Sequence, residues 1–349
     1  MRVRDVEAEL DPPPGQPGPL PERAKTLRDD REKLRLMAPV VRALHDAAGV
    51  PNAYYVVISA DGDGVGELID RHAETIDAHR ALSQLLTAHA GDAVDLIRRG
   101  DNNGEAIYAG GEDLLALLPL DRAFDVVIEL AQKYTDRWKN HTHQTDDSQS
   151  ARNVQTLSVG IAIAHCLDAF DVVLQAARDG ERAAKEARRS DLERGRRQTL
   201  RDDGTSPGGY CTVHWMPRQG ADVRLTGPQS MLKRMLSFAR LHRDDQVSDA
   251  IGYRLLRLSA AYDGWASVDR RHDDLRSALP LELARQLLRR SATAEAKVQI
   301  AAALESIDFD RLHDADVTLR RLGHELVLSR RIAHAMRQAE PSLDETETT

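Results

Sequence analysis

Two short acidic segments hold the side chains of this sequence that are best suited to chemistry. Residues 61–63 read Asp-Gly-Asp, and residues 110–113 read Gly-Gly-Glu-Asp. Magnesium is usually held in proteins by a few carboxylates together with water and substrate phosphates. Two such ions, about 4 Å apart, can activate an attacking hydroxyl and stabilise a departing pyrophosphate. If the two segments meet in the fold, their carboxylates predict a site for two Mg²⁺ or Mn²⁺ ions.

Three glycines and one lysine could complete such a site. Gly110 and Gly111 lack a Cβ, so the backbone there can approach a nucleotide closely, and Gly62 could do the same in the other segment. Lys185 lies in a helical pattern, where its ammonium group could meet a triphosphate. The alternative is a solvated lysine on the helix surface, because lysine is mostly exposed in proteins.

The elements that would position these residues alternate between strand and helix patterns. Apolar runs at 53–60, 157–164 and 210–215 predict strands, and 105–109 with 114–118 predict a hairpin whose tip is the second acidic segment. Helical spacing covers 65–99, with a break near Ile76, and also 121–138 and 168–189. The order β-α-β-β-α-β predicts a ferredoxin-like α+β palm, followed by one more helix and strand.

In this topology the first strand and the hairpin are neighbours in one sheet, so the two acidic segments should converge. The two crossover helices should cover one face of the sheet and leave the other face free for a substrate. Each acidic segment alone is also explained as a solvated turn. Their joint placement beside predicted strands favours the metal site, because structural context is what confirms a short motif.

Segments of different character flank the predicted palm. Residues 1–22 are polar and rich in proline, which predicts a flexible lead-in. A helix is predicted over 23–48, kinked or split at Pro39, and with it the palm domain is expected to span 23–227. Helical periodicity then predicts an all-α domain over 228–338, with breaks near Gly264, Pro280 and Asp308. The acidic residues 339–349 predict a disordered tail.

The composition narrows the class of protein. Hydrophobic residues make up 41% and charged residues 30% of the 349 residues, which predicts a soluble globular chain. The net charge of -8 argues against a generic nucleic-acid binder. Two cysteines are too few for a disulfide framework. No apolar stretch is long enough for a membrane span, and the N-terminus lacks the apolar core of a signal peptide, so we expect a cytoplasmic protein with no membrane partner.

Three segments, in this order, are similar to the signatures of a known family. They are residues 59–67 (SADGDGVGE), 108–119 (YAGGEDLLALLP) and 158–165 (SVGIAIAH). Together they resemble the second palm domain of the large, polymerase-like subunit of type III CRISPR effector complexes, nearest to the Cmr-type branch. The resemblance covers about residues 54–215, and the helical segment after it is similar to that subunit's C-terminal helical domain.

The resemblance implies a cyclic oligoadenylate synthase, which joins ATP molecules when target RNA is bound and whose product activates effector nucleases. It makes Asp61, Glu112 and Asp113 the catalytic residues. Two Mg²⁺ or Mn²⁺ ions would be bound by Asp61 and Asp113, with Asp63 and Glu112 as supporting carboxylates. The nucleotide would be contacted by Gly62, Gly110, Gly111 and Lys185.

The sequence also departs from the family's pattern. The family's hairpin usually has Gly-Gly-Asp-Asp, whereas Glu112 stands third here and reaches one methylene further. The related GGDEF diguanylate cyclases accept glutamate at that place. Nothing in the sequence matches the family's N-terminal nuclease domain, first palm domain or zinc-binding region. The His-Asp pairs at 45, 272 and 313 lack the ligands of such a nuclease and predict surface pairs, and His141 and His143 predict a polar loop.

Other functions stay open on the sequence alone. A non-catalytic nucleotide-binding or scaffold subunit of a type III RNA-guided complex is one, and a GTP-using diguanylate cyclase is another. The diguanylate cyclase alternative is disfavoured by Leu114, because those enzymes usually have an aromatic residue at that position. One palm cannot supply the two-palm site of the family, so the alternatives are a homodimer through the palm, a separately encoded partner, or a truncated or degenerate remnant. The expected partners are ATP and other effector subunits with guide and target RNA.

Overall fold

A computed structural model gives the fold of the protein. It describes residues 10, 19–48, 51–72, 75–144, 155–193, 209–218, 220–262, 293, 296–298 and 315–337. The chain divides into two compact units, and the unit that contains every predicted site residue is Asn52–Arg337. The other unit contains α1, Pro21–Ala48. This helix continues through Pro39, so it is not split there, and the alternative of a kink at Pro39 stays a prediction.

The centre of the larger unit is one six-stranded sheet. Its strands are β1 (Tyr54–Gly62), β2 (Glu105–Gly110), β3 (Asp113–Pro119), β4 (Leu157–His165), β5 (Tyr210–Trp215) and β6 (Val223–Pro228). They lie in the order β2-β3-β1-β4-β5-β6. β4 and β5 are parallel, and every other pair is antiparallel. The first four strands therefore have the ferredoxin-like order, and the predicted α+β palm is confirmed.

Two crossovers connect these strands on one face. The first contains α2 (Val65–His72) and α3 (Ile76–Arg98), separated near Ile76 as predicted, and the second is α4 (Leu120–Gln144). The Thr75 side chain caps α3 by accepting a hydrogen bond from the Ala78 backbone N–H. α4 extends beyond its predicted end, so His141 and His143 lie in a helix and not in a loop. Large buried side chains such as Trp138 fill this face.

The opposite face of the sheet is not free, contrary to the sequence expectation. α5 (Phe170–Glu193) packs across β1 and β4 through small apolar residues, including Val57, Ala162, Val173 and Ala177. Strand β1 is buried on both faces for this reason, which explains its unbroken β-branched run. α5 also extends to Glu193, beyond the end near 189 that the sequence predicted.

The regular elements that follow Pro228 in the described ranges are helices. They are α6 (Ser230–Arg243), α7 (Ile251–Tyr262) and α8 (Ala315–Arg337). Met231 and Met235 of α6 and Leu328 and Ile332 of α8 join the same hydrophobic core as Trp138. The palm and the helices after it therefore share a core, and the domain boundary at Pro228 stays a prediction.

One strand was missed, and several predictions concern residues outside the described ranges. β6 pairs with β5 but was not predicted, because its short sequence Val-Arg-Leu-Thr-Gly-Pro mixes charge with turn-forming residues. The breaks at Gly264, Pro280 and Asp308, the tail from 339 and nearly all of the lead-in lie outside the described residues. None of the described helices is long and apolar enough to cross a membrane.

Candidate active site

The two acidic segments meet at one end of the sheet. The last aligned pair between β1 and β3 is Ala60 with Leu114, so Asp61 and Asp113 lie side by side at the strand ends. Their side chains are close enough to share a hydrogen bond. The convergence expected from the topology is therefore present.

Negative charge is concentrated around Asp113. The pKa of Asp113 is raised to about 6, first by partial burial and then by the hydrogen bond and charge of Asp61, with Glu112 and Glu181 adding to the effect. Carboxyl groups that repel one another favour protonation, because each charge makes the next more costly. A bound cation would relieve this repulsion, so the group of carboxylates fits a divalent metal ion.

One cation of the protein itself already reaches this group. The Lys185 ammonium on α5 forms an ion pair with Asp61 and lies 3.7 Å from Oε1 of Glu181. Glu181 is held in turn, because its Oε2 accepts a hydrogen bond of 2.8 Å from Ser59 on β1. Lys185 is therefore directed into the site by its neighbours and is not a solvated surface lysine.

Asp63 has a different environment from Asp61. It is 5% exposed, and its two oxygens accept hydrogen bonds of 2.6 Å from the hydroxyls of Thr156 and Ser158. The Nε atom of Arg188 lies 3.4 Å from Oδ2 of the same carboxylate. Burial raises the pKa of Asp63, and the charge of Arg188 and the two hydroxyls oppose that rise. Protein donors satisfy Asp63 here, and its predicted role as a metal ligand stays a prediction.

The hairpin tip has the backbone geometry that its glycines permit. Gly111 has a φ of 64°, which favours glycine, and a Cβ placed there would meet nothing within 4 Å. Gly110 is partly covered, since a Cβ on it would lie 2.4 Å from the hydroxyl of Tyr108. The open backbone at Gly111 is thus available to a ligand, while the half-exposed Tyr108 ring lies against Gly110.

The floor of the site is formed by Tyr134 of α4. A Cβ on Gly62 would lie 2.1 Å from the Tyr134 hydroxyl and 2.8 Å from Cβ of Glu112. Only glycine therefore fits at position 62, because any Cβ there would meet that hydroxyl. Tyr134 is fully buried; the Trp138 ring N–H can donate toward its hydroxyl, whose proton has no acceptor among the described residues.

The carboxylates do not form a complete metal cage on their own. Among the described residues, no three His, Cys, Asp or Glu side chains are arranged to hold a metal ion. Magnesium sites in nucleotide-using proteins typically have one or two carboxylates, and water and substrate phosphates supply the other ligands. Asp61 and Asp113, with Glu112 beside them, match that incomplete type of site.

Sequence reasoning missed several side chains that build the site. Glu181 and Arg188 lie on the face of α5 that also carries Lys185, and their spacing of three and four residues was the available signal. Thr156 and Ser158 bracket the start of β4, where polar residues precede an apolar run. No pattern in the sequence indicated that Tyr134 would point at Gly62.

The ferredoxin-like sheet with acidic residues at the ends of β1 and β3 defines a palm of the polymerase and cyclase type. Residues 54–193 match the profile of the Cas10/Cmr2 second palm domain, which confirms the family resemblance inferred from the sequence. The CRISPR system Cmr subunit Cmr2 of Pyrococcus furiosus is 26% identical over 174 residues. That alignment covers 43% of this chain and 19% of the relative, so the chain spans only a small part of the relative's length.

Solved structures of type III effector proteins show weaker similarity. A cryo-EM structure of a type III-B Cmr-β complex in the apo state matches with a TM-score of 0.43 and 13% identity, covering 74% of this chain and 36% of the other. A crystal structure of a Csm1–Csm4 cassette in complex with cA4 matches with a TM-score of 0.43 and 12% identity. It covers 79% of this chain and 36% of that one.

Proposed function

We propose that the chain carries the nucleotidyltransferase palm of a type III CRISPR effector and joins ATP into a cyclic oligoadenylate. The observation that carries this proposal is the meeting of Asp61 and Asp113 at the ends of β1 and β3, with Lys185 facing them from α5. The profile match over residues 54–193 supports the same family of palms. Phosphoryl transfer needs mainly positioning and charge neutralisation, which these residue types can supply.

Each side chain has a separate part in the proposed reaction. Asp61 and Asp113 would hold Mg²⁺ or Mn²⁺ with Glu112 in support, and the bound ions would activate the attacking hydroxyl and neutralise the pyrophosphate. Lys185 would exchange Asp61 for oxygens of the triphosphate, and Glu181 would keep its ammonium group beside the site. The backbone at Gly110 and Gly111 would lie against the nucleotide.

The buried end of β1 supports these residues from behind. Asp63 ties the turn after β1 to β4 through Thr156 and Ser158, and its backbone N–H donates to the Thr156 carbonyl at 2.8 Å. We assign Asp63 mainly to this positioning role. A carboxylate that is fixed in this way holds the neighbouring Asp61 at the strand end, which is what a two-ion site requires.

The proposed partners follow from the relative and from the single palm. The Pyrococcus furiosus relative is a subunit of a Cmr system, so we propose that this chain acts with other type III subunits and with guide and target RNA. Joining two nucleotides requires a second nucleotide site. A second copy of this palm or a separate partner subunit would supply that site.

A non-catalytic nucleotide-binding subunit is the second candidate. It is favoured by the ion pair between Lys185 and Asp61, which neutralises the carboxylate without a metal ion. A diguanylate cyclase is the third candidate, and Leu114 on β3 is buried at 4% exposure where those enzymes usually have an aromatic residue.

One assay separates the three candidates. The purified chain is incubated with ATP or GTP and Mg²⁺ or Mn²⁺, with and without Cmr partner subunits and target RNA, and products are identified by mass spectrometry. We expect cyclic oligoadenylate from ATP, and its loss in Asp61→Ala and in Asp113→Ala. Asp171→Ala, at an exposed acid in the first turn of α5, is the matched control and should keep activity.

The other outcomes decide against the proposal. A product from GTP and not from ATP would identify a diguanylate cyclase. Binding of ATP with no product under any condition, together with normal assembly of Asp113→Ala into the RNA complex, would identify a scaffold subunit.

A further inference from the structure

The Tyr134 hydroxyl is a buried polar group that the proposed chemistry leaves unused. It is fully buried on α4, and although the Trp138 ring N–H can donate toward its oxygen, no acceptor for its proton is found in the described part of the chain. A buried donor whose proton has no acceptor costs about 1–3 kcal/mol of stability, so such groups are rare and call for an explanation. Replacing the tyrosine with phenylalanine would remove this cost, yet the hydroxyl is present.

The position of this hydroxyl indicates what it could bind. It lies directly under Gly62, within the space that a Cβ would take, and Cβ of Glu112 borders the same space. A Cβ on Gly62 would lie 2.1 Å from the Tyr134 hydroxyl oxygen and 2.8 Å from Cβ of Glu112. The distance between these two atoms therefore cannot exceed the sum of those two values. The charges of Asp63, Glu112 and Asp61 all act on the phenol.

The hydroxyl can act only as a donor toward these groups. Burial raises the pKa of Tyr134, a hydrogen bond from Trp138 lowers it, and the three carboxylates raise it further, so the phenol keeps its proton. Asp63 is already satisfied by Thr156 and Ser158, and Asp61 is paired with Lys185. Among the described residues, Glu112 has neither a hydrogen bond nor an ion pair, so it is the carboxylate left to accept.

We propose that Tyr134 is a positioning residue, whose hydroxyl donates a hydrogen bond to the Glu112 carboxylate when a divalent ion occupies the site. This inference rests on the proposed metal-dependent function. A glutamate reaches the floor because its carboxylate lies one methylene farther from the backbone than that of an aspartate. Gly62 is required above the hydroxyl, since any larger residue would push the phenol away from Glu112.

The test measures Mn²⁺ binding to the full chain by isothermal titration calorimetry, in the presence of a non-hydrolysable ATP analogue. We expect Tyr134→Phe to weaken Mn²⁺ binding about tenfold, which corresponds to about 1.4 kcal/mol. Its melting temperature should equal or exceed that of the wild type, because a buried hydroxyl whose proton has no acceptor has been removed. Tyr55→Phe, at the opposite end of β1, is the matched control and should bind Mn²⁺ like the wild type.

A second variant tests the partner of the hydroxyl. In Glu112→Asp the shorter side chain no longer reaches the floor, so adding Tyr134→Phe should weaken Mn²⁺ binding no further. Wild-type affinity in Tyr134→Phe, or an equal tenfold loss in both backgrounds, would overturn the inference alone. A wild type that binds no Mn²⁺ with the ATP analogue would overturn the proposed metal-dependent function and this inference with it.

Discussion

The Lys185 ammonium on α5 forms an ion pair with the Asp61 carboxylate at the end of β1. This pair joins the helix on one face of the sheet to the cluster of carboxylates at the strand ends. Both side chains are largely shielded, with relative exposures of 32% and 23%. The pair therefore gives the protein an internal counter-ion where a metal ion is proposed to bind.

Replacing Lys185 with methionine should change the two ligands in opposite directions. We expect affinity for an ATP analogue to fall about tenfold or more, because a charge-assisted hydrogen bond to the phosphates is lost. Affinity for Mn²⁺ without nucleotide should rise, since Asp61 loses its competing cation. Calorimetric titrations measure both, with Lys133→Met as the control, because Lys133 is an exposed lysine paired with Glu129 on α4. Unchanged ATP affinity would contradict the phosphate-binding role.

Asp63→Ala should destabilise the fold. The substitution leaves the hydroxyls of Thr156 and Ser158 and the charge of Arg188 without their buried acceptor, which should cost about 3 kcal/mol. Urea denaturation measures the change in free energy of unfolding. Asp125→Ala removes an exposed carboxylate from α4 and should change stability by less than about 0.5 kcal/mol. Equal stability of both variants would show that Asp63 does not hold β1 to β4.

Because His89 is buried, we expect the free energy of unfolding to decrease in mild acid. It is buried on α3 with its ring centroid 4.6 Å from that of Tyr134. Burial is the main reason that its pKa is lowered from 6.5 to about 4, with Arg137 lowering it further and Asp92 opposing. Because the folded-state pKa is depressed, the contribution of His89 is fully present above about pH 6.5 and is lost as the pH falls toward 4.

His89→Leu should flatten that pH dependence. We expect the decrease in unfolding free energy between pH 7 and pH 4 to shrink by about 3 kcal/mol, from about 1.4 kcal/mol for each pKa unit. His79→Leu removes an exposed histidine from the same helix and should leave the slope as it is. Parallel pH profiles for wild type and His89→Leu would refute the assignment, and His89→Gln provides a second comparison if the leucine variant folds poorly.

The ion pair between Arg234 of α6 and Glu325 of α8 predicts a strong asymmetry between single and double substitutions. The arginine Nε and Nη2 atoms donate to the two Glu325 oxygens at 3.0 Å and 2.8 Å. Arg234→Met should cost about 3 kcal/mol, because the buried Glu325 charge is left with its longer contact of 3.4 Å to Nε of Arg321. Adding Glu325→Leu should recover most of that loss.

The measurement for this pair is equilibrium unfolding in urea of the two variants beside Arg243→Met. Arg243 forms an exposed ion pair with Asp244, and such pairs contribute about 0–1 kcal/mol. A double variant that is less stable than Arg234→Met alone would contradict this prediction. It would show that Glu325 stabilises the fold even without Arg234.

The placement of the acidic segments was predictable because it follows from local patterns and one topology. Strand β1 runs straight into Asp61, and the turn before Asp113 needs glycine at residue 111, so both signals lie in neighbouring residues. Once the β-α-β-β order is recognised, β1 and β3 must be adjacent. The position of the carboxylates is thus set by short-range sequence and chain connectivity.

The features that the sequence did not predict depend on which face of the sheet a helix covers and on how the helix is rotated about its axis. α5 was predicted as a helix, but nothing in its own sequence tells that it covers the face opposite α3 and α4. The position of the Tyr134 side chain could not be predicted for the same reason, because its direction depends on the rotation of α4 around its axis. β6 was not predicted for another reason. Its own sequence has weak strand propensity, and its pairing with β5 stabilises it.

α5 crosses β4 where two glycines meet. A Cβ on Gly160 would lie 1.9 Å from the Ala177 carbonyl oxygen, and one on Gly180 would lie 3.1 Å from Cα of Gly160. The helix therefore rests on the sheet at a backbone-to-backbone pivot, with no side chain between them. Lys185 lies five residues beyond it, about 7.5 Å along the helix axis. A tilt of about 10° at the pivot displaces Lys185 by about 1 Å from the carboxylates. A force on either end of α5 would thus move Lys185, the proposed phosphate ligand, relative to the carboxylates.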